Sequence, residues 1–169
     1  MRFVLIGMPG CGKSCMGRHL ASKLKIKNID ADKLIEKNCG KPLQELIDEI
    51  GTEQFRRIEE EALLSITEDN VIISTGGSAV YSKRAMEAYR ENAKIIYLKC
   101  SYRTIERRLG DFSRRGVVLR PGQTLRDLYN ERVPLYESYA HITVDCDGEA
   151  YSRYQREAQR IITELLNDK

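Results

Sequence analysis

No stretch of this sequence approaches the roughly 18 consecutive apolar residues of a transmembrane helix, so a membrane span is not expected. An excess of one charge is missing too. With 28 basic residues against 25 acidic ones, the net charge of +3 gives no argument for a nucleic-acid or membrane-surface partner. The five cysteines (Cys11, Cys15, Cys39, Cys100 and Cys146) contain no C-x-x-C pair. An odd, dispersed set argues against a disulfide framework and against a zinc site, and reads as reduced thiols of a cytoplasmic protein. There is no internal repeat, low-complexity segment or interdomain linker. Tryptophan is absent, and nothing follows from that. The first apolar run starts at Arg2 or Phe3, so no signal or transit peptide is expected. What is present, 169 residues of which 41% are hydrophobic and 31% charged, suits one globular domain over 1–169, large enough for a sheet covered on both faces.

Short apolar runs alternate with helical periodicity. The runs Val4–Ile6, Lys27–Asp30, Val71–Ser74, Ile95–Leu98 and Ile142–Asp145 read as strands. Helices are expected over Met16–Leu24, Asp32–Asn38, Leu43–Ile50, Thr52–Ile66, Ser82–Glu91, Tyr102–Leu109, Leu125–Tyr139 and Glu149–Leu166, with Gly51 separating the third from the fourth. Alternation of this kind predicts an α/β fold, three layers with helices on both faces of a five-stranded parallel sheet. Ligands of such sheets bind beyond the carboxyl ends of the strands. The least regular stretch, Gly110 to Thr124, carries three glycines, a proline and three arginines, and is expected to be a functional loop.

After the first strand comes Gly7-Met8-Pro9-Gly10-Cys11-Gly12-Lys13-Ser14, which fits G-x-x-x-x-G-K-[ST] at every fixed position. Strand, glycine loop and helix is the context in which backbone N–H groups turn inward to cradle phosphates, aided by the helix N-terminus. Gly10, Cys11, Gly12, Lys13, Ser14 and Cys15 are the candidate nucleotide contacts. Lys13 can reach the outer phosphates, and the Ser14 hydroxyl can ligate magnesium. The nucleotide is expected to be a triphosphate, and no N-K-x-D motif specifies guanine.

The other strand ends supply polar groups. The second gives Asp30-Ala31-Asp32. Two residues apart in extended chain, both carboxylates can share a face, one for magnesium and one for a substrate hydroxyl. Asp32 could instead be a helix N-cap, but phosphoryl transfer needs metal ligands and a polar group near the acceptor. The third strand runs into Thr75-Gly76-Gly77-Ser78, where paired glycines allow close approach to backbone N–H groups, or simply a tight turn. Arg56 and Glu59, three apart, can pair on a helix surface. Arg132 and the arginines around the irregular loop (Arg107, Arg108, Arg114, Arg115 and Arg120) suit recognition of carboxylate or phosphate, although most single arginines are solvated.

Taken in order, the glycine loop, Asp30-Ala31-Asp32, Gly51-Thr52-Glu53-Gln54-Phe55-Arg56, Thr75-Gly76-Gly77 and Glu131-Arg132-Val133-Pro134-Leu135-Tyr136 resemble a shikimate kinase, of the nucleoside-monophosphate-kinase-like group of P-loop folds. The resemblance spans nearly the whole chain. It implies ATP and Mg2+, with Asp30 in the metal shell beside Ser14. It also implies that Asp32 bonds the acceptor hydroxyls, that Arg56 and Arg132 clamp the acceptor carboxylate with support from Glu59, and that Gly76 and Gly77 line the acceptor site. Arg115 then matches a catalytic lid arginine in a lid over 110–124, and Arg108 an arginine that stacks on adenine. The implied partner is a small hydroxylated carboxylic acid, shikimate first, with gluconate or homoserine as alternatives and a non-catalytic ATP-binding regulator as a further one. A monomer is expected.

The sequence departs from the family pattern at Ser78, which stands where a third glycine is usual, and at Cys15, where threonine is usual. The lid reads Arg115-Gly116-Val117-Val118 in place of Arg-Pro and two apolar residues, and Arg120-Pro121 offers a second register closer to Arg132.

Overall fold

β1 (Arg2–Ile6) lies at the middle of a five-stranded, all-parallel sheet. Phe3, Val4, Leu5 and Ile6 are fully buried, the unbroken apolar run required of a strand covered on both faces. Its neighbours are β3 (Val71–Ser74) and β4 (Lys94–Lys99), with β2 (Lys27–Asp30) and β5 (Ile142–Asp145) at the edges, giving the order β2-β3-β1-β4-β5. The computed structural model describes residues 1–110, 117, 119–147 and 151–167.

Connections decide where the site falls. The chain leaves β1 through α1 (Lys13–Leu24) toward the β2 edge, returns to β3, and crosses to β4 on the other side of β1. The switch point is therefore the carboxyl end of β1, where a parallel sheet opens a crevice for ligands. Right-handed crossovers put α1 and α4 (Lys83–Asn92) on opposite faces. α1 packs with α7 (Tyr151–Asn167), while α4 and α6 (Leu125–Tyr139) pack on β4.

The expected elements agree closely with those observed, the break at Gly51 included, with one informative difference at the start of α1. α1 begins at Lys13, three residues before the expected start, because Gly12 adopts φ 98° and serves as its N-cap. The chain between Leu43 and Ser65 is helical on both sides of Gly51, which breaks the geometry at φ 80° and ψ 165°; it is labelled α3 as a whole. The break turns the second half so that Phe55 and Ala62 meet Ile35 of α2 (Ala31–Cys39) and Leu46 and Ile47 of the first half. This small second core stands apart from the main one and forms a side wall of the cleft. The remaining helix, α5 (Tyr102–Leu109), is capped by Ser101, whose hydroxyl accepts from the Thr104 N–H. No helix among the described residues is long and apolar enough to cross a membrane.

Candidate active site

A cleft of about 290 Å3 opens at the switch point, lined by the glycine loop on one side and by Asp32, Glu59, Gly76, Gly77 and Arg132 on the other. Gly7, Gly10 and Gly12 all have positive φ, which turns the loop between β1 and α1. At Gly7 a Cβ would also lie 2.8 Å from the Leu98 carbonyl, so the loop can sit against β4 only with glycine there. Lys13 is buried, and its ammonium donates to the Gly7 and Met8 carbonyls at 2.7 and 3.0 Å. The Lys13 stem thus crosses the loop it belongs to and holds a positive charge at the cleft wall. Ser14 lines the cleft beside it. The two loop cysteines differ. Cys11 points into the core, where burial raises its thiol pKa, and Cys15 is exposed on the outside of α1. Neither thiol lines the cleft, so contacts from Cys11 and Cys15 are limited to their backbone.

Asp30 and Asp32 do not share the cleft as the extended-chain expectation had it: Asp32 lines it and Asp30 does not. Asp30 ends β2 and is itself the N-cap of α2, its carboxylate accepting from the Lys33 N–H at 3.4 Å. Asp32 lies inside the first turn, freed from capping and turned to the cleft. Burial pushes the Asp32 carboxyl up to about 6; Lys13 opposes this, and Asp30 and Glu36 add to it. Crowded carboxylates facing an ammonium suit a divalent cation, which would offset their mutual repulsion. Mg2+ takes only one or two protein ligands beside phosphate oxygens and water, and of the two expected ligands Ser14 lines the cleft while Asp30 stands behind it as the cap of α2.

Across the cleft, Glu59 is almost fully buried on α3. The expected surface pair with Arg56 is not formed. Instead the Ser78 hydroxyl donates to Glu59 Oε2 at 2.7 Å, and the other carboxylate oxygen has no hydrogen-bond partner. Ser78 has φ −86°, open to any residue, so losing a third glycine there costs no backbone strain and adds a donor. The two glycines that remain are required for space. A Cβ on Gly76 would lie 2.4 Å from Glu59 Oε1 and 2.8 Å from Asp32 Oδ1, and one on Gly77 would strike the Pro9 ring at 2.7 Å. Gly76 is thus flanked by two carboxylates. Tyr136, stacked on Tyr97, donates its hydroxyl to the Gly77 carbonyl at 2.7 Å and ties α6 to this turn.

Burial also pushes the Glu59 carboxyl up, to about 7; the Ser78 hydrogen bond opposes this, Asp32 adds to it, and Arg132 and Arg56 lower it again. A folded value above the ordinary 4.5 means that the folded state binds the extra proton, so stability falls as pH rises from about 4.5 through about 7. Glu59→Gln, neutral throughout, is expected to raise stability at about pH 8 by about 1–3 kcal/mol, with the advantage vanishing near pH 5. Thermal unfolding at both pH values checks this; an equal Tm difference at the two would contradict it.

The arginines divide. Arg132 of α6 is only 3% exposed and reaches the cleft. Arg56 is exposed on α3 and lies over the Tyr81 ring. Arg108 fastens the far side of the loop, its Nη1 donating to the Cys11 carbonyl at 3.5 Å and its Nη2 to the Cys146 carbonyl at 3.1 Å. Arg120 forms an ion pair with Glu131 instead of facing the loop phosphate cradle. Arg115, and with it residues 111–116 and 118 of the expected lid over 110–124, lies outside the described residues.

Three contributors were not legible in the sequence. Tyr81 follows an apolar-looking Ala79-Val80 with no motif around it. Leu43 and Phe55 read only as helix core positions, yet both line the cleft.

A family model for shikimate kinase matches residues 9–167. A shikimate kinase of Paracidovorax citrulli is 39% identical over 145 residues, covering 83% of this chain and 79% of that protein. One of Mycobacterium avium is 40% identical over 145 residues, covering 84% and 82%. Among solved structures, a shikimate kinase from Acinetobacter baumannii in complex with shikimate superposes with a TM-score of 0.86 at 29% identity, covering 99% of this chain and 94% of that one.

Proposed function

The chain belongs to the shikimate kinase family, and from that premise we propose that it transfers the γ-phosphoryl group of ATP to a hydroxyl of shikimate, within aromatic amino acid biosynthesis. One observation carries the reading: a half-buried carboxylate, Asp32, and a buried guanidinium, Arg132, line the same cleft as the phosphate-binding loop. That arrangement suits an acceptor bearing both hydroxyls and a carboxylate.

In this reading the loop amides from Gly10 to Ser14 and the Lys13 ammonium hold the phosphates and spread the charge that develops in transfer. Ser14, with Asp30 in the outer shell, would hold Mg2+, which when bound would neutralise phosphate charge. Asp32 accepts a hydrogen bond from the acceptor hydroxyl, orients it for in-line attack and takes its proton. Arg56 and Arg132 bind the carboxylate, Glu59 supports them, and Gly76 and Gly77 leave room for the ring. Arg108 packs against the adenine. Arg115, on a lid over 110–124, closes on the phosphates and excludes water. The protein works as a single cytoplasmic domain, a monomer without nucleic-acid or membrane partners.

ADP release with ATP and Mg2+ tests the reading, with shikimate set beside quinate, gluconate, homoserine and a blank without acceptor. Stimulation by shikimate above the other acids is the expected result; stimulation by another acid alone would move the acceptor, and none at all would overturn the assignment. Arg132→Ala is expected to raise the shikimate KM by about 10- to 100-fold, the loss of charged hydrogen bonds, with the KM for ATP within about twofold of the parent. Arg56→Ala should act in the same direction but less, because Arg56 is exposed. Unchanged acceptor kinetics in both variants would remove the clamp from the mechanism.

A further inference from the structure

Tyr81 sits at the end of a short turn, Ala79–Tyr81, between two helices that share no sequence neighbourhood with it. Its ring receives one guanidinium from each. The central carbon of Arg56, from α3, is 4.3 Å from the ring centroid, and that of Arg132, from α6, is 5.2 Å away. The Tyr81 hydroxyl accepts from Arg132 Nε at 3.3 Å and donates to Glu131. Glu131 is itself fixed by its ion pair with Arg120 and by Gln123 Nε2 at 3.3 Å.

Two like charges have thus been brought to one aromatic ring. Among the described residues neither Arg56 nor Arg132 forms an ion pair within 4 Å, although Arg132 is buried. Two guanidiniums held close together repel each other, and the negative face of an aromatic ring is one of the few groups that can hold both while leaving their hydrogen-bonding edges free. A carboxylate in Tyr81's place would satisfy the pair and compete with an incoming anion. The ring holds the arginines without neutralising them.

We propose that Tyr81 is the positioning residue of the acceptor site: it sets the spacing and orientation of Arg56 and Arg132 for the acceptor's carboxylate. The inference rests on the reading of that pair as a carboxylate clamp. Affinity for the acceptor depends on Tyr81, while phosphoryl transfer and ATP binding do not.

The test compares Tyr81→Leu and Tyr81→Met, which remove the ring, with Tyr81→Phe, which keeps it. Steady-state kinetics with shikimate and ATP are expected to show a shikimate KM raised about tenfold in the ring-less variants, with kcat and the KM for ATP within about threefold of the parent. Tyr81→Phe should recover most of the loss. The methyl ester of shikimate, used as a competitor, should bind the parent and Tyr81→Leu within about twofold of each other, because it offers no carboxylate to the pair. A shikimate KM within about twofold of the parent in folded ring-less variants overturns the proposal. So does a uniform loss on both substrates and the ester, or failure of both ring-less variants to fold, since each marks a merely structural ring. An inactive parent would instead contradict the assignment of shikimate as acceptor, so the two failures are distinguishable.

Discussion

Lys13→Ala is expected to lower kcat by about two to three orders of magnitude while leaving the domain folded. The charge on Lys13 faces the space where phosphate oxygens gather, and a preorganised donor of this kind is worth about 10²–10³ in rate when a single one is removed from a charge-stabilising site. A lysine acting on transferring phosphate stabilises charge that grows along the reaction, so the loss falls on kcat more than on KM. Folding should survive because the lysine's stability role is local. Its ammonium ties the Gly7 and Met8 carbonyls, and the strands beneath are held by the apolar run Phe3 to Ile6. Lys13→Met, which keeps most of the stem, separates charge from packing. Circular dichroism and turnover measured on the same samples check the expectation; a kcat near the parent's in either variant would remove Lys13 from the chemistry.

The second large effect is at Asp32. Asp32→Asn is expected to lower kcat by about 10²–10⁴-fold, the usual range for a positioned general base. The sign of its pH dependence follows from the raised pKa. With the carboxyl pushed up to about 6, the proton-accepting form is absent well below that value and dominant above it. For the parent, kcat/KM should therefore climb as pH rises through about 6 and level off above. Asp32→Asn should lose that limb along with the rate. If the limb persists unchanged in the variant, another group titrates there; Glu59, pushed up to about 7 on the opposite side of Gly76, is the first to examine, through Glu59→Gln. The same burial that readies Asp32 to take a proton also destabilises the ionised protein, so Asp32→Asn should gain stability above about pH 6 while it loses activity.

Much of this was legible along the chain. The glycine loop declared itself because its function lies in consecutive backbone amides, and a local motif suffices to fix local backbone. The alternation of apolar runs with helical periodicity fixed the parallel sheet, since β1 must be apolar throughout to be buried on both faces, and Phe3 to Ile6 are. Gly51 announced the break in α3 because positive φ is a property that one residue type supplies at little cost. The arginines and carboxylates of the cleft were visible as types, and the family resemblance implied a clamp role for Arg132.

Tertiary structure alone decided the pairings. Asp30 takes the cap and frees Asp32, a choice that depends on where β2 ends relative to α2 and that two aspartates in sequence cannot express. Glu59 turns from the neighbouring Arg56 to Ser78, nineteen residues on, because its face of α3 is buried against the turn after β3. Gly76 must be glycine for the sake of two carboxylates that arrive from α2 and α3. Tyr81 collects arginines from α3 and α6 across 25 and 51 residues of chain. Sequence fixes what is set by local backbone geometry and by the period of apolar residues; contacts between side chains on different elements depend on how those elements pack, and that is settled only when the whole chain buries its core.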